Sequence, residues 1–173
     1  MSRELLKYGF KIYGTDFSSQ AIELAKVENP EINFQCSSIY KLPFSNGKFD
    51  VIICLGVFQT VDYPEKALVE MARVLKKDGV LIIRTLNALS LSYLKAQKDN
   101  PDFIFYNPFI FKKEMSKLGF KIKTIKGIYS FPKRFYFLIG LIIKTKLYKV
   151  LNFLFFPIFV FFSHGFYIEG IKK

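Results

Sequence analysis

Apolar positions follow two different periods in the middle of this chain. Phe49–Leu55 forms an apolar run after the Asn46-Gly47 turn, which is typical of a central strand covered on both faces. Pro64–Leu75 then repeats apolar residues at helical spacing and begins with a proline, whose missing N–H costs nothing at that position. Asp78-Gly79 turns the chain into a further apolar strand, Val80–Thr85. The pattern therefore predicts a strand, a helix and a strand in succession.

Shorter periodic segments extend this unit on both sides. They predict the end of a helix over Ser2–Tyr8, strands over Lys11–Thr15 and Ile32–Cys36, helices over Gln20–Glu28 and Pro108–Leu118, and strands over Lys121–Gly127 and Phe166–Ile171. Strands that alternate with helices at these spacings indicate parallel crossovers. We therefore expect an α/β fold with a doubly wound, mostly parallel sheet.

The carboxyl ends of the predicted strands are the expected binding edge, because open α/β sheets bind their ligands there. These ends are Thr15-Asp16-Phe17, Ser37-Ser38-Ile39, Leu55-Gly56-Val57 and Thr85-Leu86-Asn87. Asp16 is the leading candidate, since the two oxygens of a carboxylate match the vicinal hydroxyls of a ribose. A helix N-cap or a loop aspartate is the alternative, and the pattern leaves both open.

Other polar positions are weaker candidates. A polar group at Ser38 could meet the edge of a flat heterocycle with Ile39 on its face, although a turn serine that bonds its own backbone fits equally well. Gln59 and Thr60 could face a substrate, with a solvated loop as the alternative. The single histidine, His164, is more typical of a structural group than of a base. The sequence has no recognisable catalytic triad, carboxylate pair, Walker loop or metal-ligand spacing.

Charge is distributed very unevenly along the chain. The net charge is +12, yet residues 1–109 carry 13 basic and 12 acidic side chains, whereas residues 110–173 carry 13 basic and 2 acidic ones. Because the basic part is also rich in phenylalanine and isoleucine, we expect it to contact an anionic membrane surface. Nucleic acid is a less favoured partner, and a solvated basic face also stays open.

The longest apolar stretch of the basic part is Val150–Phe162. It is shorter than the ~20 residues that a membrane-spanning helix needs. We therefore expect residues 131–163 to form an interfacial or buried segment. The first residues do not form a secretory signal, and two cysteines without a disulfide framework suit a reducing compartment. These features predict a cytoplasmic protein whose basic segment can contact a membrane surface.

A set of motifs in a fixed order resembles a known family. The motifs are Gly14-Thr15-Asp16-Phe17-Ser18, Leu42-Pro43-Phe44, Phe49-Asp50-Val51-Ile52, the segment from Ala67 to Gly79, and Leu118-Gly119-Phe120. In this order they are similar to those of class I S-adenosylmethionine-dependent methyltransferases that act on small molecules. The resemblance covers about Ser2–Tyr129 and, more faintly, Phe166–Ile171.

The resemblance implies S-adenosylmethionine as the cofactor and a role for each strand end. Asp16 would bind the ribose and Phe17 would flank the adenine. Ser38-Ile39 would lie at the adenine edge, and Leu55-Gly56 would line the methionine side. Methyl transfer from a sulfonium needs mainly an in-line placement of the acceptor, which agrees with the lack of an acid–base constellation.

Three departures from the family's pattern matter. Ser38 stands where the family usually has an acidic residue, and the histidine that many members carry near Gln59-Thr60 is missing. The first strand and its Gly-x-Gly-x-Gly loop would precede Met1. The resemblance thus implies an N-terminally truncated Rossmann-like fold, in which Lys11–Thr15 and Phe49–Leu55 flank a gap, and an activity impaired by the missing loop. We expect these two strands to pair directly or to accept a strand from another chain.

The resulting domain prediction has three parts. Residues 1–130 form the truncated methyltransferase-like core, residues 131–164 a hydrophobic and basic insertion, and residues 165–173 the last strand. The predicted function is methyl transfer to a small, hydrophobic or lipid-like acceptor. A non-catalytic, methyltransferase-derived module at a membrane surface is the alternative. A nicotinamide-dependent enzyme is disfavoured because the chain lacks a Gly-x-Gly-x-x-Gly fingerprint.

Overall fold

The computed structural model of the chain describes residues 2–129 and 163–173. Its elements in chain order are α1 (Ser2–Lys7), β1 (Tyr13–Asp16), α2 (Ser19–Glu28), β2 (Asn33–Cys36), β3 (Phe49–Leu55), a 3₁₀ turn (Phe58–Thr60), α3 (Pro64–Val74), β4 (Leu75–Leu86), α4 (Tyr93–Asp99), α5 (Pro108–Lys117), β5 (Phe120–Tyr129) and β6 (Ser163–Lys172). Helices thus alternate with strands over the first half of the chain, and the predicted α/β fold is confirmed.

The strands form two separate hydrogen-bonded groups. β1 and β2 pair in parallel, and β3, β4, β6 and β5 form a four-stranded sheet in that spatial order. β3 and β4 are parallel, whereas β6 runs antiparallel to both of its neighbours. The prediction of a mostly parallel sheet is confirmed: β3, β4 and β5 share one direction, and in this sheet β6 alone runs against them, where it returns between β4 and β5. β1 and β3 do not pair with each other, so the predicted gap lies between them and the predicted direct pairing is not found.

The main core lies between the four-stranded sheet and the helices α3 and α5. α3 buries one face, formed by Ala67, Leu68, Met71 and Val74. This face packs in a cluster with side chains from β4, α5 and β6, among them Leu81, Ile83, Phe111, Met115, Phe166 and Ile168. Burying an aliphatic or aromatic side chain of this size contributes about 1.5–3 kcal/mol. The core therefore holds the sheet and its carboxyl edge in place.

An ion pair on α3 fastens the loop that precedes β3. Glu70 accepts hydrogen bonds from the backbone N–H of Leu42 at 2.7 Å and from the Arg73 guanidinium at 2.7 and 2.8 Å. Arg73 in turn donates to the carbonyl groups of Phe44 and Leu42 and to the side chain of Asn46. The hydrogen bonds from Arg73 lower the pKa of the Glu70 carboxyl.

Most element boundaries agree with the sequence pattern to within a few residues. β3 has the predicted bounds, and α3 ends one residue earlier than predicted. β4 begins at Leu75 rather than Val80, with Asp78 in the left-handed region at a φ of 62°. The helix α4 was not predicted, because it buries no residue and therefore has no apolar stripe.

The predicted insertion lies almost wholly outside the described residues. Of the predicted insertion, residues 131–164, only Ser163 and His164 are described, and they begin β6, two residues before the predicted start of the last domain at 165. The division of the chain into domains stays a prediction. In residues 2–129 and 163–173, no helix is both long enough and apolar enough to cross a membrane.

A candidate cofactor site at the carboxyl edge of the sheet

The carboxyl ends of the parallel strands are tied together by backbone hydrogen bonds. The N–H of Ser37, just after β2, donates to the carbonyl of Asp16 at the end of β1, at 2.8 Å. The N–H of Gly56, just after β3, donates to the carbonyl of Arg84 in β4, at 3.0 Å. Since β6 is antiparallel to β4, its first residues lie at the same edge. Each strand group therefore collects its candidate residues at the carboxyl ends of its parallel strands.

Asp16 is an exposed carboxylate at the last position of β1 and is not the helix cap. Its Oδ1 accepts a hydrogen bond from the Ser18 N–H at 2.9 Å. The cap of α2 is Ser18 itself, whose hydroxyl accepts from the Ala21 N–H at 3.2 Å. The capping alternative is therefore wrong. One hydrogen bond leaves an exposed carboxylate with capacity for further donors, such as the hydroxyls of a sugar.

Phe17 follows Asp16 and presents its ring to solvent. Its side chain is 81% exposed, and its carbonyl accepts a hydrogen bond from the Cys36 thiol at 3.3 Å. This contact joins the β1 loop to the end of β2. Cys36 is exposed, whereas the other cysteine, Cys54, is buried. Burial raises the pKa of the Cys54 thiol to about 12, which makes it unreactive at neutral pH.

At the end of β2, the predicted site residue Ser38 uses its hydroxyl for a hydrogen bond within its own turn. The Ser38 hydroxyl accepts a hydrogen bond from the Tyr40 N–H at 3.2 Å, as the turn alternative predicts. Ile39 packs partly buried against the core. The neighbouring Ser37 has a buried hydroxyl oxygen without a hydrogen-bond partner among the described residues. Ser37 could not be preferred from the sequence, because nothing there tells which of two adjacent serines faces inward.

At the end of β3, Gly56 adopts a φ of 75°, which an L side chain rarely adopts. The nearest atom to a Cβ added there would be Oε1 of Gln59, 4.0 Å away. The structure thus brings Gln59 beside Leu55-Gly56, with open space over the backbone. Thr60 is different, because its hydroxyl donates to the Val57 carbonyl at 2.9 Å within the 3₁₀ turn.

A small cavity of about 160 Å³ lies at the same edge, between the end of β4, α4 and the start of β6. Its walls are mainly aromatic and apolar, with Tyr93, Phe103 and Phe105 on one side and His164 on the other. The Nδ1 atom of His164 is buried without a partner among the described residues. Burial, together with the nearby charge of Arg84, lowers the pKa of His164, which favours the neutral form of its ring.

Unsatisfied buried polar atoms are confined to this edge in the described part of the chain. They are the Ser37 hydroxyl, the Thr85 hydroxyl and Nδ1 of His164. Such groups are normally paired, so each calls for a partner such as water or a ligand. Within residues 2–129 and 163–173, no cluster of three or more His, Cys, Asp or Glu side chains could hold a metal ion.

Comparison with known proteins agrees with this geometry. A family described as "Methyltransferase domain" matches residues 1–83. An uncharacterized protein of Methanocaldococcus jannaschii, MJ0638, is 34% identical over 120 residues, which are 69% of this chain and 50% of that protein. A ubiquinone biosynthesis O-methyltransferase of Coxiella burnetii is 27% identical over 149 residues, covering 76% of this chain and 63% of the enzyme.

The fold is shared with solved structures of the same kind. The geranyl diphosphate C-methyltransferase of Streptomyces coelicolor, solved with Mg²⁺, geranyl diphosphate and S-adenosyl-L-homocysteine, superposes with a TM-score of 0.72 at 14% identity. That match covers 100% of this chain and 66% of the enzyme. Residues 1–83 thus match the methyltransferase-domain family, and the chain has the fold of class I S-adenosylmethionine-dependent methyltransferases. It spans between half and two thirds of the length of these three relatives.

The residues at the carboxyl edge fit the cofactor of this methyltransferase family. Asp16 offers carboxylate oxygens to a diol, and the orphaned Ser37 hydroxyl lies within two residues of the predicted adenine edge at Ser38-Ile39. Gly56 leaves its backbone open to a close approach. These polar groups and the open backbone therefore suit a ligand that has a ribose, a heterocycle and an extended amino acid tail.

Proposed function

We propose that the carboxyl edge of this sheet binds S-adenosylmethionine and that the protein transfers its methyl group to a small, hydrophobic or lipid-like acceptor. The observation that carries the proposal is the exposed Asp16 carboxylate at the end of β1, beside the buried, unpaired hydroxyl of Ser37. Both lie at the edge where open α/β sheets bind nucleotide-like ligands.

Each candidate residue has a distinct task in this proposal. Asp16 accepts the two ribose hydroxyls, and Phe17 covers one face of the adenine, with Ile39 beneath it. Ser37 and Ser38 face the adenine edge, where Ser38 offers weaker recognition than a carboxylate because its hydroxyl is engaged with Tyr40. Leu55-Gly56 lies along the methionine part.

When bound, the cofactor supplies an electrophilic methyl group on a sulfonium. The chain's own contribution is then to hold the acceptor in line with that methyl group and to exclude water. Gln59 lies beside Gly56 and is the substrate-side candidate with a contact to support it, whereas Thr60 needs to release its turn hydrogen bond first. The aromatic cavity at Phe103 and Phe105 is the proposed entry of the acceptor.

Two features support a hydrophobic acceptor. The Coxiella relative is named for ubiquinone biosynthesis, and the Streptomyces relative was solved with geranyl diphosphate. The basic, aromatic segment 131–163 is proposed to provide a peripheral contact to the membrane in which such compounds dissolve. We further propose that the activity of the 173 residues alone is impaired, because their sequence contains no Gly-x-Gly-x-Gly motif to bind the methionine part.

The first test is calorimetric titration with S-adenosylhomocysteine. The wild-type chain is compared with Asp16→Asn, which keeps the acceptor for the Ser18 N–H but removes the charge. We expect binding that Asp16→Asn weakens by about tenfold or more, as loss of a hydrogen bond to a charged group predicts. Asp78→Asn is the matched control, since Asp78 lies in the turn before the buried part of β4, at the opposite end of that strand.

The outcomes separate the functional alternatives. Binding lost in Asp16→Asn and kept in Asp78→Asn supports the cofactor site. Equal binding by all three proteins places the ligand elsewhere and refutes the assignment of Asp16. Absence of binding to well-folded protein refutes the proposed function for these 173 residues and favours the non-catalytic alternative at a membrane surface.

A further inference from the structure

The small cavity at the carboxyl edge has the size of one aromatic ring. Its volume is about 160 Å³, and it lies between the end of β4, α4 and the start of β6. In a different protein, an apolar cavity of about 150 Å³ holds one benzene molecule. We call this space, lined by Tyr93, Phe103, Phe105 and His164 among others, the aromatic cavity. It accommodates a ring-sized part of a ligand but not a long hydrocarbon chain.

Aromatic rings form much of the wall of the aromatic cavity. The rings of Tyr93, the first residue of α4, and Phe105 meet edge to face, with their centres 5.1 Å apart. Phe103, Leu86 and Ala96 also line the cavity. Aromatic pairs prefer such edge-to-face or offset arrangements, which gain stability beyond the area that they bury. A planar aromatic ring is therefore the apolar group that these walls suit best.

Several polar groups in the lining are already engaged. The hydroxyls of Ser90 and Ser92 bond each other at 2.8 Å. The side-chain amide of Asn87 donates to a backbone carbonyl of β6 at 2.9 Å, and that of Asn100 donates to the Ala96 carbonyl at 3.2 Å. These hydrogen bonds shape the chain around the cavity, so these groups are not the first candidates to bind a ligand.

His164 differs from these groups because its imidazole keeps an unmet capacity for hydrogen bonds. Its Nδ1 atom is buried without a partner among the described residues. The backbone of His164 is held by β4, since its carbonyl accepts from the Asn87 N–H at 3.1 Å and the next residue, Gly165, pairs with Leu86. A 180° rotation about the Cβ–Cγ bond exchanges nitrogen and carbon positions with little change in the shape of the ring. The strand thus fixes where the ring lies, and this rotation lets a nitrogen atom face the cavity.

A hydroxyl group is the partner that matches this imidazole. A neutral imidazole carries one N–H donor and one acceptor nitrogen, and a hydroxyl can both donate and accept. The neutral form is favoured here by burial and by the nearby charge of Arg84, which lower the pKa of His164. The described lining of the cavity has no charged residue, so an ionised ligand group would lose its hydration without a compensating charge.

We propose that the aromatic cavity binds a phenol, that is, a planar aromatic ring whose hydroxyl forms a hydrogen bond with the imidazole of His164. The inference deepens the proposed function and rests on it in one respect, namely that the bound phenol is the head group of the methyl acceptor. A hydrophobic tail of such an acceptor stays outside, because the cavity accommodates the ring alone. The single histidine thus gains a role in recognising the acceptor, which the sequence pattern did not predict.

The test titrates the chain with phenol and with toluene, which has the same ring but no hydroxyl. Because His164 is the single histidine of the chain, labelling histidine with ¹⁵N gives imidazole NMR signals from this residue alone. The titration is made at about pH 7.5, above the ordinary histidine pKa of about 6.5, so that the ring is neutral. We expect saturable binding of phenol with a marked change of the imidazole ¹⁵N shifts, and a much smaller change with toluene.

Two variants check the hydrogen bond and the location of the bound ring. His164→Leu keeps an apolar wall and should weaken phenol binding by about tenfold, as loss of a hydrogen bond predicts, while toluene binding stays within about twofold of wild type. Ala96→Leu should abolish binding of both probes, because the larger side chain fills part of the cavity. Ala21→Leu is the matched control, since Ala21 also lies on a helix but is exposed on α2. Circular dichroism and urea unfolding establish that each variant is folded before binding is measured.

Three results would each overturn the proposal. They are the absence of saturable phenol binding to the folded wild type, equal phenol affinity of His164→Leu and wild type, and unchanged phenol affinity of Ala96→Leu. The titrations contain no S-adenosylhomocysteine, so they are independent of the cofactor site. Loss of phenol binding with S-adenosylhomocysteine binding intact refutes the acceptor class alone. Phenol binding without S-adenosylhomocysteine binding supports the phenol site and refutes the proposed function.

Discussion

At the scale of single residues, polar groups at the carboxyl edge fall into two kinds. Ser18, Ser38 and Thr60 hold their own turns through short local hydrogen bonds. Ser37 and Thr85 instead have buried oxygens without a partner among the described residues. The first kind shapes the loops and the second kind remains available to a ligand, which is why the same residue types take different roles along one edge.

Among the residues at this edge, we expect substitution of Asn87 to lower the free energy of unfolding most. It is fully buried, donates to the carbonyl and hydroxyl of Ser163 at 2.9 Å and accepts from the Leu89 N–H at 3.0 Å. Asn87→Ala removes these hydrogen bonds at a buried position and should lower the free energy of unfolding by about 2 kcal/mol. Urea unfolding followed by circular dichroism measures the change.

The control for this residue is an exposed asparagine. Asn100→Ala removes a single exposed hydrogen bond to the Ala96 carbonyl and should change stability by less than about 0.5 kcal/mol. Equal stability losses for Asn87→Ala and Asn100→Ala would contradict the structural role given to Asn87.

At the scale of elements, α3 has two structural roles: it packs in the core and it holds the loop before β3. Its apolar face packs in the core, and its ion pair of Glu70 and Arg73 holds the loop from Leu42 to Asn46 that leads into β3. The apolar face follows from the helical period. The second role does not, because the partners of the ion pair are backbone groups nearly thirty residues earlier in the chain.

Glu70→Ala should therefore destabilise the protein in a pH-dependent manner. The side chain is only 13% exposed, and loss of its hydrogen bonds should cost about 2 kcal/mol near neutral pH. Because the folded state lowers the pKa of Glu70, its contribution is present above the ordinary glutamate pKa and is lost as pH falls through the folded-state value. The difference between wild type and Glu70→Ala should thus shrink on acidification.

Urea unfolding at steps from about pH 7 to about pH 3 measures this difference, because the contribution is lost between the ordinary glutamate pKa of about 4.3 and the lower folded-state pKa. Glu23→Ala, an exposed change on α2, should have little effect at either pH. A stability difference that grows towards acid would contradict the assignment of the ionised Glu70 as the stabilising form.

At the scale of the whole molecule, the net charge is distributed unevenly along the chain: residues 1–109 are nearly neutral, and residues 110–173 are strongly basic. If residues 110–173 contact anionic lipid, association of the protein with vesicles should depend on the lipid charge and on the salt concentration. We expect the chain to float with vesicles that contain phosphatidylserine and to be released between about 50 mM and about 500 mM salt.

Replacing three lysines of the basic segment tests this prediction directly. The change of Lys144, Lys146 and Lys149 to glutamine should reduce flotation strongly. The same replacement at Lys26, Lys41 and Lys98, which are exposed and lie in the nearly neutral residues 1–109, should have little effect. Equal loss in the two triple variants would indicate a general charge effect instead of a localised membrane contact.

Local pattern was sufficient for most elements of this protein. The apolar run of β3, the helical period of α3 and the turn at Asp78-Gly79 each depend on nearby residues, so their order and the α/β class followed from the sequence. Asp16 was placed at a strand end by the same means, and the resemblance to methyltransferases rested on the order of such motifs.

Tertiary structure decided what no local pattern contains. The position of β6 between β4 and β5 makes the sheet mixed, and it depends on pairing across distant parts of the chain. The inward hydroxyl of Ser37, the turn hydrogen bond of Ser38 and the gap between β1 and β3 likewise depend on which edges meet in space. The physical reason is that periodicity reports which face of an element is covered, whereas hydrogen-bond partners and strand neighbours are set by the packing of elements far apart in sequence.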